Sequence, residues 1–110
     1  MNQYKFEGVV KNINSSSRGS KVKLVGIPNY YSKFDDKEYN LLWDSSNKIV
    51  KALELSQEYI VDLKDQIAIN LLVASNINNK PIEVLIEEDD PKAPTVIYKI
   101  ISISTLSKES

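Results

Sequence analysis

The sequence predicts a mainly β fold, a small closed barrel of five strands with one or two helices. Several segments alternate apolar and polar residues, as half-buried strands do. One long apolar segment has no Gly or Pro and is framed by helix-capping residues. The length of 110 residues suits one domain, 1–110, with one hydrophobic core.

The first two predicted strands form an antiparallel hairpin. Between residues 4 and 10, the side chains expected to face the core are those of Tyr4, Phe6, Gly8 and Val10. A glycine inside a strand predicts a bulge or a sharp bend at Gly8. Residues 14–20 are polar and predict a loop, and the second strand covers residues 21–27, since Pro28 cannot continue the ladder.

An aromatic-rich insertion is predicted at about residues 29–57. Five of the nine aromatic residues of the chain lie in it: Tyr30, Tyr31, Phe34, Tyr39 and Trp43. Residues 39–43 predict a short strand. Asp44-Ser45-Ser46 offers a helix N-cap, and the apolar stripe of Ile49, Val50 and Leu53 predicts a short helix that ends near Ser56.

A second helix follows the third core strand, which is predicted at residues 58–63. Asp65 is a candidate N-cap, and the helix extends to about Ile77. Its apolar residues surround nearly the whole helix, so more than one side should be covered. Either the aromatic segment or a partner subunit covers the second side. For a subunit interface the candidate residues are Ile69, Leu72 and Val73.

Two further strands complete the chain. Residues 78–81 close the helix, residues 81–87 alternate as a strand, and residues 95–104 are rich in β-branched residues. The order strand, strand, insertion, strand, helix, strand, strand matches an OB-fold-like Greek-key barrel with the helix between strands 3 and 4. An open α+β sheet is the alternative.

The segment 59–84 resembles the pentameric bacterial toxin B-subunits and their OB-fold relatives. In that family a strand leads into a helix ending Leu-Leu-x-Ala, which Leu71-Leu72-Val73-Ala74 matches. The family pattern x-x-x-x-Gly-Lys-x-Val-x-Val follows, and Asn79 stands here where Gly is usual. Residues 98–103 resemble the final strand of the family. No sugar-binding residue of the family has a matching motif here.

This resemblance implies a non-catalytic homopentamer that binds cell-surface glycans. The sequence as given shows neither the signal peptide nor the disulfide that many secreted B-subunits carry. As written it is therefore expected to be soluble and cytoplasmic, and secreted only if a leader was removed. With no apolar run of 18 residues, we expect no membrane insertion.

Composition excludes several kinds of chemistry. The chain has no His and no Cys, which excludes a Cys/His zinc site, a Ser-His-Asp triad and a cysteine nucleophile. The acidic clusters 35–36 and 87–90 lack the spacing of a calcium loop and are interpreted as solvated loops. We therefore expect no metal, no cofactor and no catalysis.

Two surface sets are candidate binding sites. One set consists of Tyr30, Tyr31 and Phe34. These rings would form a stacking platform for a sugar or a protein, or they would cover the hydrophobic core. The second set is basic and consists of Lys11, Arg18, Lys21 and Lys23. These residues would bind single-stranded nucleic acid, or they would form a solvated face with no ligand. The formal net charge of −1 gives no general attraction to phosphates.

Three functional hypotheses follow. The first is a homo-oligomeric ring, with a pentamer expected, that presents a glycan- or protein-binding surface. The second is a single-stranded nucleic-acid-binding protein of phage or mobile-element type. The third is a small inhibitor or adaptor whose acidic aromatic loop covers a site on another protein.

Overall fold

The computed structural model describes residues 2–17, 19–90 and 92–106. Within these residues the chain forms eight strands, one α-helix and one short 3₁₀ helix at Pro28–Tyr30. The strands are β1 (Asn2–Ser16), β2 (Gly19–Gly26), β3 (Tyr31–Phe34), β4 (Lys37–Trp43), β5 (Ile49–Glu54), β6 (Tyr59–Val61), β7 (Ile82–Glu88) and β8 (Tyr98–Thr105), and α1 is Gln66–Asn78. Strands β1 and β2 extend into the predicted 14–20 loop.

Five of these strands form a closed barrel, which confirms the predicted mainly β barrel with a helix. The hydrogen-bonded order around it is β1, β2, β6, β8, β7 and back to β1. The β6–β8 pair is parallel, and the other four barrel pairs are antiparallel. Alternate residues fill the interior, for example Tyr4, Phe6 and Val10 of β1 and Ile82, Val84 and Ile86 of β7.

Strand β1 changes partner at Gly8, which pairs with both Gly26 of β2 and Ile82 of β7. A Cβ on Gly8 would lie 2.4 Å from the carbonyl oxygen of Val25 and 2.7 Å from the Phe6 ring. The glycine therefore permits close strand contact. The predicted bulge lies further along, where the β1–β2 register shifts between Val10 and Asn12.

Helix α1 confirms the predicted helix and both caps. The Asp65 carboxylate accepts a hydrogen bond from the Ile67 backbone N–H at 3.0 Å, and Asn79 adopts φ 57° at the other end. The helix follows β6, the sixth strand in chain order. The prediction had placed it between the third and fourth strands. The position differs because the insertion contributes three strands of its own.

The helix packs on the barrel through both apolar and polar residues. Ala68, Leu72 and Ser75 are its buried residues. Ser75 Oγ accepts from the Val10 backbone N–H at 3.0 Å, and Asn76 Nδ2 donates to the Val10 carbonyl oxygen at 3.2 Å. The helix thus satisfies the backbone of β1 next to its register shift.

The predicted short helix at 44–56 is wrong, because this segment forms a hairpin turn and β5. The Asp44 carboxylate accepts from the backbone N–H groups of Ser46 and Lys48, at 2.8 and 3.0 Å. Asn47 adopts φ 61°, which reverses the chain so that β5 pairs with β4. The same carboxylate that would cap a helix stabilises a turn here.

The insertion is an antiparallel sheet with β4 in the middle and β3 and β5 on either side. The turn between β3 and β4 consists of Asp35 and Asp36. Both residues have positive φ (54° and 65°), as a two-residue type I′ hairpin turn requires. The predicted strand at 39–43 is confirmed as part of β4.

Asn40 attaches this sheet to the barrel. Its side chain is fully buried, its Oδ1 accepts from the Gly26 N–H at 2.9 Å, and its Nδ2 donates to the Leu24 carbonyl oxygen at 2.8 Å. The amide therefore bonds to β2 as a strand backbone would.

We expect Asn40→Ala to lower the free energy of unfolding by about 2–4 kcal/mol, because the partly buried Gly26 N–H and the buried Leu24 carbonyl oxygen both lose their partner. Urea denaturation measures this loss. The control is Asn14→Ala, at an exposed position of β1. A loss no larger than that of the control would contradict the role of Asn40.

No helix in the described ranges is long and apolar enough to cross a membrane.

Candidate binding site

A cleft of about 620 Å³ lies between the insertion and the barrel. One wall consists of the end of β5 and the connection to β6, and the opposite wall is the approach to β8. The floor includes Lys21 and Ile60, which face outward because their strand neighbours Val22 and Tyr59 are buried in the core. The lining residues are Lys21, Tyr39, Ala52, Leu53, Glu54, Ser56, Gln57, Glu58, Ile60, Thr95, Val96, Ile97 and Tyr98.

The cleft combines apolar surface with three charged side chains. Leu53, Ile60 and Val96 supply the apolar part. The charged residues are Lys21, Glu54 and Glu58, a formal net charge of −1. The ion pairs found among the described residues are Lys51–Glu88 and Lys99–Asp89, so none of the three cleft charges is paired there. Their charge is available to a ligand.

The β5 wall of the cleft is a free strand edge. Leu55 N–H donates to the Glu38 carbonyl oxygen, and the register continues through Asn40↔Leu53 and Leu42↔Lys51. Because antiparallel ladders alternate, the N–H and C=O of Ala52 point away from β4. In the described part of the chain, β5 pairs with β4 and with no other strand.

A buried carboxylate that contacts the cleft residue Tyr98 attaches β5 to the barrel. Glu88 is 1% exposed and ends β7. It accepts hydrogen bonds from Asn2 Nδ2 at 3.2 Å, from the Tyr4 hydroxyl at 2.8 Å and from the Tyr98 hydroxyl at 3.4 Å. Lys51 Nζ of β5 lies 2.8 Å from it. These contacts hold β5 over the end of the barrel.

The environment of Glu88 favours its ionised form. Burial by itself pushes the pKa of Glu88 upward, but the hydrogen bonds from Lys51, Tyr4 and Asn2 outweigh burial and lower the pKa to about 2. The hydrogen bond to Glu88 also raises the pKa of Lys51. Both partners are therefore charged near neutral pH.

We expect acid to destabilise the fold through Glu88. Its pKa in the folded protein, about 2, lies below the ordinary value of 4.5. Its contribution is therefore present above pH 4.5 and is lost as the pH falls toward 2. The loss should amount to about 3 kcal/mol.

Urea denaturation between neutral pH and pH 2 tests this expectation. Glu88→Gln should be less stable at neutral pH and should lose less stability in acid. Glu87→Gln is the matched control, because Glu87 is the adjacent residue and its carboxylate accepts from the exposed Gln3 at 3.4 Å. Equal acid sensitivity in Glu88→Gln and the wild type would contradict the assignment.

The structure separates the three aromatic residues of the predicted platform. Tyr30 is buried between Phe6 and Trp43, with ring centroids 5.9 and 5.2 Å away, so its assignment to a ligand site is wrong. Burial and the nearby Glu7 raise the pKa of its hydroxyl to about 12. Tyr31 is half-buried and donates to Glu38, whereas Phe34 is 72% exposed at the β3–β4 turn.

The predicted basic strip is assembled only in part. Lys21 and Lys23 lie two residues apart on β2, so they share one face. Lys11 Nζ donates instead to Asn79 Oδ1, at the C-terminal end of the helix, at 2.9 Å. Arg18 lies outside the described residues. Lys21 lies in the cleft beside two carboxylates, which is unfavourable for a phosphate backbone.

The three predicted interface residues of the helix also differ in position. Leu72 is 3% exposed and packs in the barrel core, which contradicts its assignment to a subunit interface. Ile69 is half-buried and Val73 is exposed. The most exposed apolar side chains of the helix are instead Ile67 and Ile77, at 70% and 73%.

Most of the cleft was missed by the sequence reasoning. Its β5 wall was predicted as a helix, so the free edge was not expected. A usable signal was present, because residues 44–48 are turn formers between two apolar segments, which is typical of a hairpin. No local sequence pattern predicts that Lys21 and Thr95 line the same cleft, because the two residues are far apart in the sequence.

Among residues 2–17, 19–90 and 92–106, no group of three acidic side chains lies close enough to hold a metal ion. Asp35 and Asp36, one of the two acidic clusters interpreted as solvated loops, lie in the exposed β3–β4 turn. For the second cluster, 87–90, this interpretation is wrong in part, because Glu87 and Glu88 end strand β7 and Glu88 is buried.

Comparison with protein-family models, with curated proteins and with solved structures finds no match to this chain.

Proposed function

We propose that this chain is a non-catalytic binding module of the OB-fold type whose ligand lies in the cleft between β5 and the barrel. Three features support the OB-fold assignment. The barrel closes through a parallel β6–β8 pair, β6 and β7 are the third and fourth barrel strands in chain order, and α1 connects them.

The observation that carries the functional proposal is the position of the cleft. OB-folds bind oligonucleotides and oligosaccharides on the face of their second and third strands, beside the loop that joins the fourth and fifth. Here Lys21 and Ile60 lie on those strands and Thr95 lies in that loop. The cleft thus occupies the position where this architecture presents ligands.

The chemistry of the cleft supports a glycan or protein ligand over nucleic acid. Its two carboxylates outnumber its one cation, whereas single-strand binders combine a positive groove with aromatic stacking. A binding role without catalysis also fits Glu88, because this acid is buried, does not line the cleft and is engaged by four donors.

A blocked cleft tests the proposal. We expect Thr95→Trp to abolish binding, because the indole would occupy the cleft, whereas Thr105→Trp at the exposed far end of β8 should retain it. The probes are a glycan array, a phage-displayed random dodecapeptide library and single-stranded DNA at physiological salt. A ligand that binds both variants equally, or no ligand from any probe, would contradict the proposal.

We also propose that the chain assembles into a homo-oligomeric ring, for which a pentamer is expected. The support is the apolar outer side of α1, where Ile67, Val73 and Ile77 are 70%, 40% and 73% exposed. An interface would require these side chains to form one contiguous apolar surface, which is typical of association sites.

Native mass spectrometry over a dilution series tests assembly. The wild type should give one discrete oligomer, and Ile67→Asp/Ile77→Asp should give a monomer because it places charge in the contact. Phe34→Asp is the matched control, since Phe34 is equally exposed, at 72%, but lies on another surface. A wild-type monomer at every concentration would overturn the ring.

A further inference from the structure

We infer that the cleft binds an extended peptide that adds to the free edge of β5 as a further strand and carries a basic side chain. This inference rests on the cleft being the binding site and names its ligand.

The backbone of β5 supplies the first argument. The N–H and C=O of Ala52 point away from β4, and the N–H of Glu54 does so by the same alternation. The Glu54 carbonyl oxygen is already used by the Gln57 N–H at 2.9 Å. Ala52 and Glu54 therefore offer two donors and one acceptor to an added strand, which is the main-chain recognition used in strand addition.

The surroundings of this edge suit an extended backbone. The opposite wall, residues 95–97, is not part of a strand, and the cleft between the two walls has a volume of about 620 Å³. Lys51 and Glu88 keep β5 in place at one end of the cleft. Alternate side chains of an added strand would point into the cleft, where Leu53, Ile60 and Val96 provide apolar contact.

The charged residues of the cleft favour a peptide with a basic side chain. Glu54 and Glu58 have no ion-pair partner among the described residues, and Lys21 is the one cation of the lining. A Lys or Arg side chain of the peptide would pair with these carboxylates, whereas an acidic peptide would be repelled. Charge complementarity of this type sets specificity more than affinity.

Proline on the strand edge tests the backbone contacts. Ala52→Pro removes the outward N–H and places a ring on the edge, but it removes no hydrogen bond to β4. Lys33→Pro is the matched control on β3, because the register Phe34↔Lys37 and Ser32↔Tyr39 directs the Lys33 N–H outward at the opposite edge of the same sheet.

The probe is the strongest dodecapeptide selected from the phage library on the full chain, synthesised and measured by isothermal titration calorimetry. Ala52→Pro should weaken its binding by about tenfold to a hundredfold, since one main-chain hydrogen bond is lost and the proline ring obstructs the approach of the peptide backbone. Lys33→Pro should leave the affinity within about twofold, which is smaller than the loss of one hydrogen bond. Thermal unfolding of both variants confirms that they are folded.

Two further measurements keep the inference testable if Ala52→Pro fails to fold. N-methylation of the peptide amides one at a time should weaken binding at every second position, because alternate amides face β5. Glu54→Gln and Glu58→Gln should each weaken binding up to about fivefold, and Asp36→Asn in the exposed β3–β4 turn should not.

Each contrary result has a distinct meaning. Binding that tolerates both Ala52→Pro and N-methylation overturns strand addition. A glycan that Thr95→Trp blocks and Ala52→Pro does not, with no peptide selected, overturns the peptide and leaves the cleft as the binding site. A dimer without peptide that Ala52→Pro abolishes would show that a second copy of β5 occupies the edge. Failure of every probe contradicts both proposals.

Discussion

The buried carboxylate of Glu88 is the constraint on which the arrangement of this molecule depends. Four donors from β1, β5 and β8 converge on it, and it is 1% exposed. A buried charge is costly unless it is paired and hydrogen-bonded, so these strands are held together at one end of the barrel. Because Lys51 is the partner from the insertion, the same interaction positions β5 and defines the cleft.

The insertion and the helix are attached by one common device, in which polar side chains bond to exposed strand backbone. Asn40 bonds to the end of β2, and Ser75 and Asn76 bond to Val10 beside the register shift of β1. Buried backbone groups need partners, and these side chains supply them where the strand ladder is interrupted. This explains why a helix with so much apolar surface still turns a serine toward the barrel.

The aromatic residues of the insertion contribute to the candidate site through packing. They do not form a stacking platform in it. Tyr30 fills the space between Phe6 and Trp43 and so packs the insertion against the barrel. The packed sheet then presents the edge of β5 to the cleft. The candidate site thus consists of strand backbone, apolar side chains and charged side chains, and it includes two tyrosines, the partly buried Tyr39 and the buried Tyr98.

Local patterns in the sequence predicted the inward face of β1, the strands β4 and β7, and the helix with its caps. Alternation and capping involve residues only two to four positions apart, so they act in any tertiary context. Asp44 was ambiguous for a physical reason, because its carboxylate accepts from nearby backbone N–H groups both as an N-cap and in a turn. Only the pairing of residues 49–54 with β4 decides between them.

The tertiary structure alone decided the site. Glu88 meets Tyr4 across 84 residues of sequence, Asn40 meets Leu24 across 16, and Lys21 and Thr95 line one cleft from separate strands and loops. The burial of Tyr30 and Leu72 likewise depends on which elements pack against them. Such contacts leave no local pattern, since they exist only after the barrel closes and the insertion packs against it.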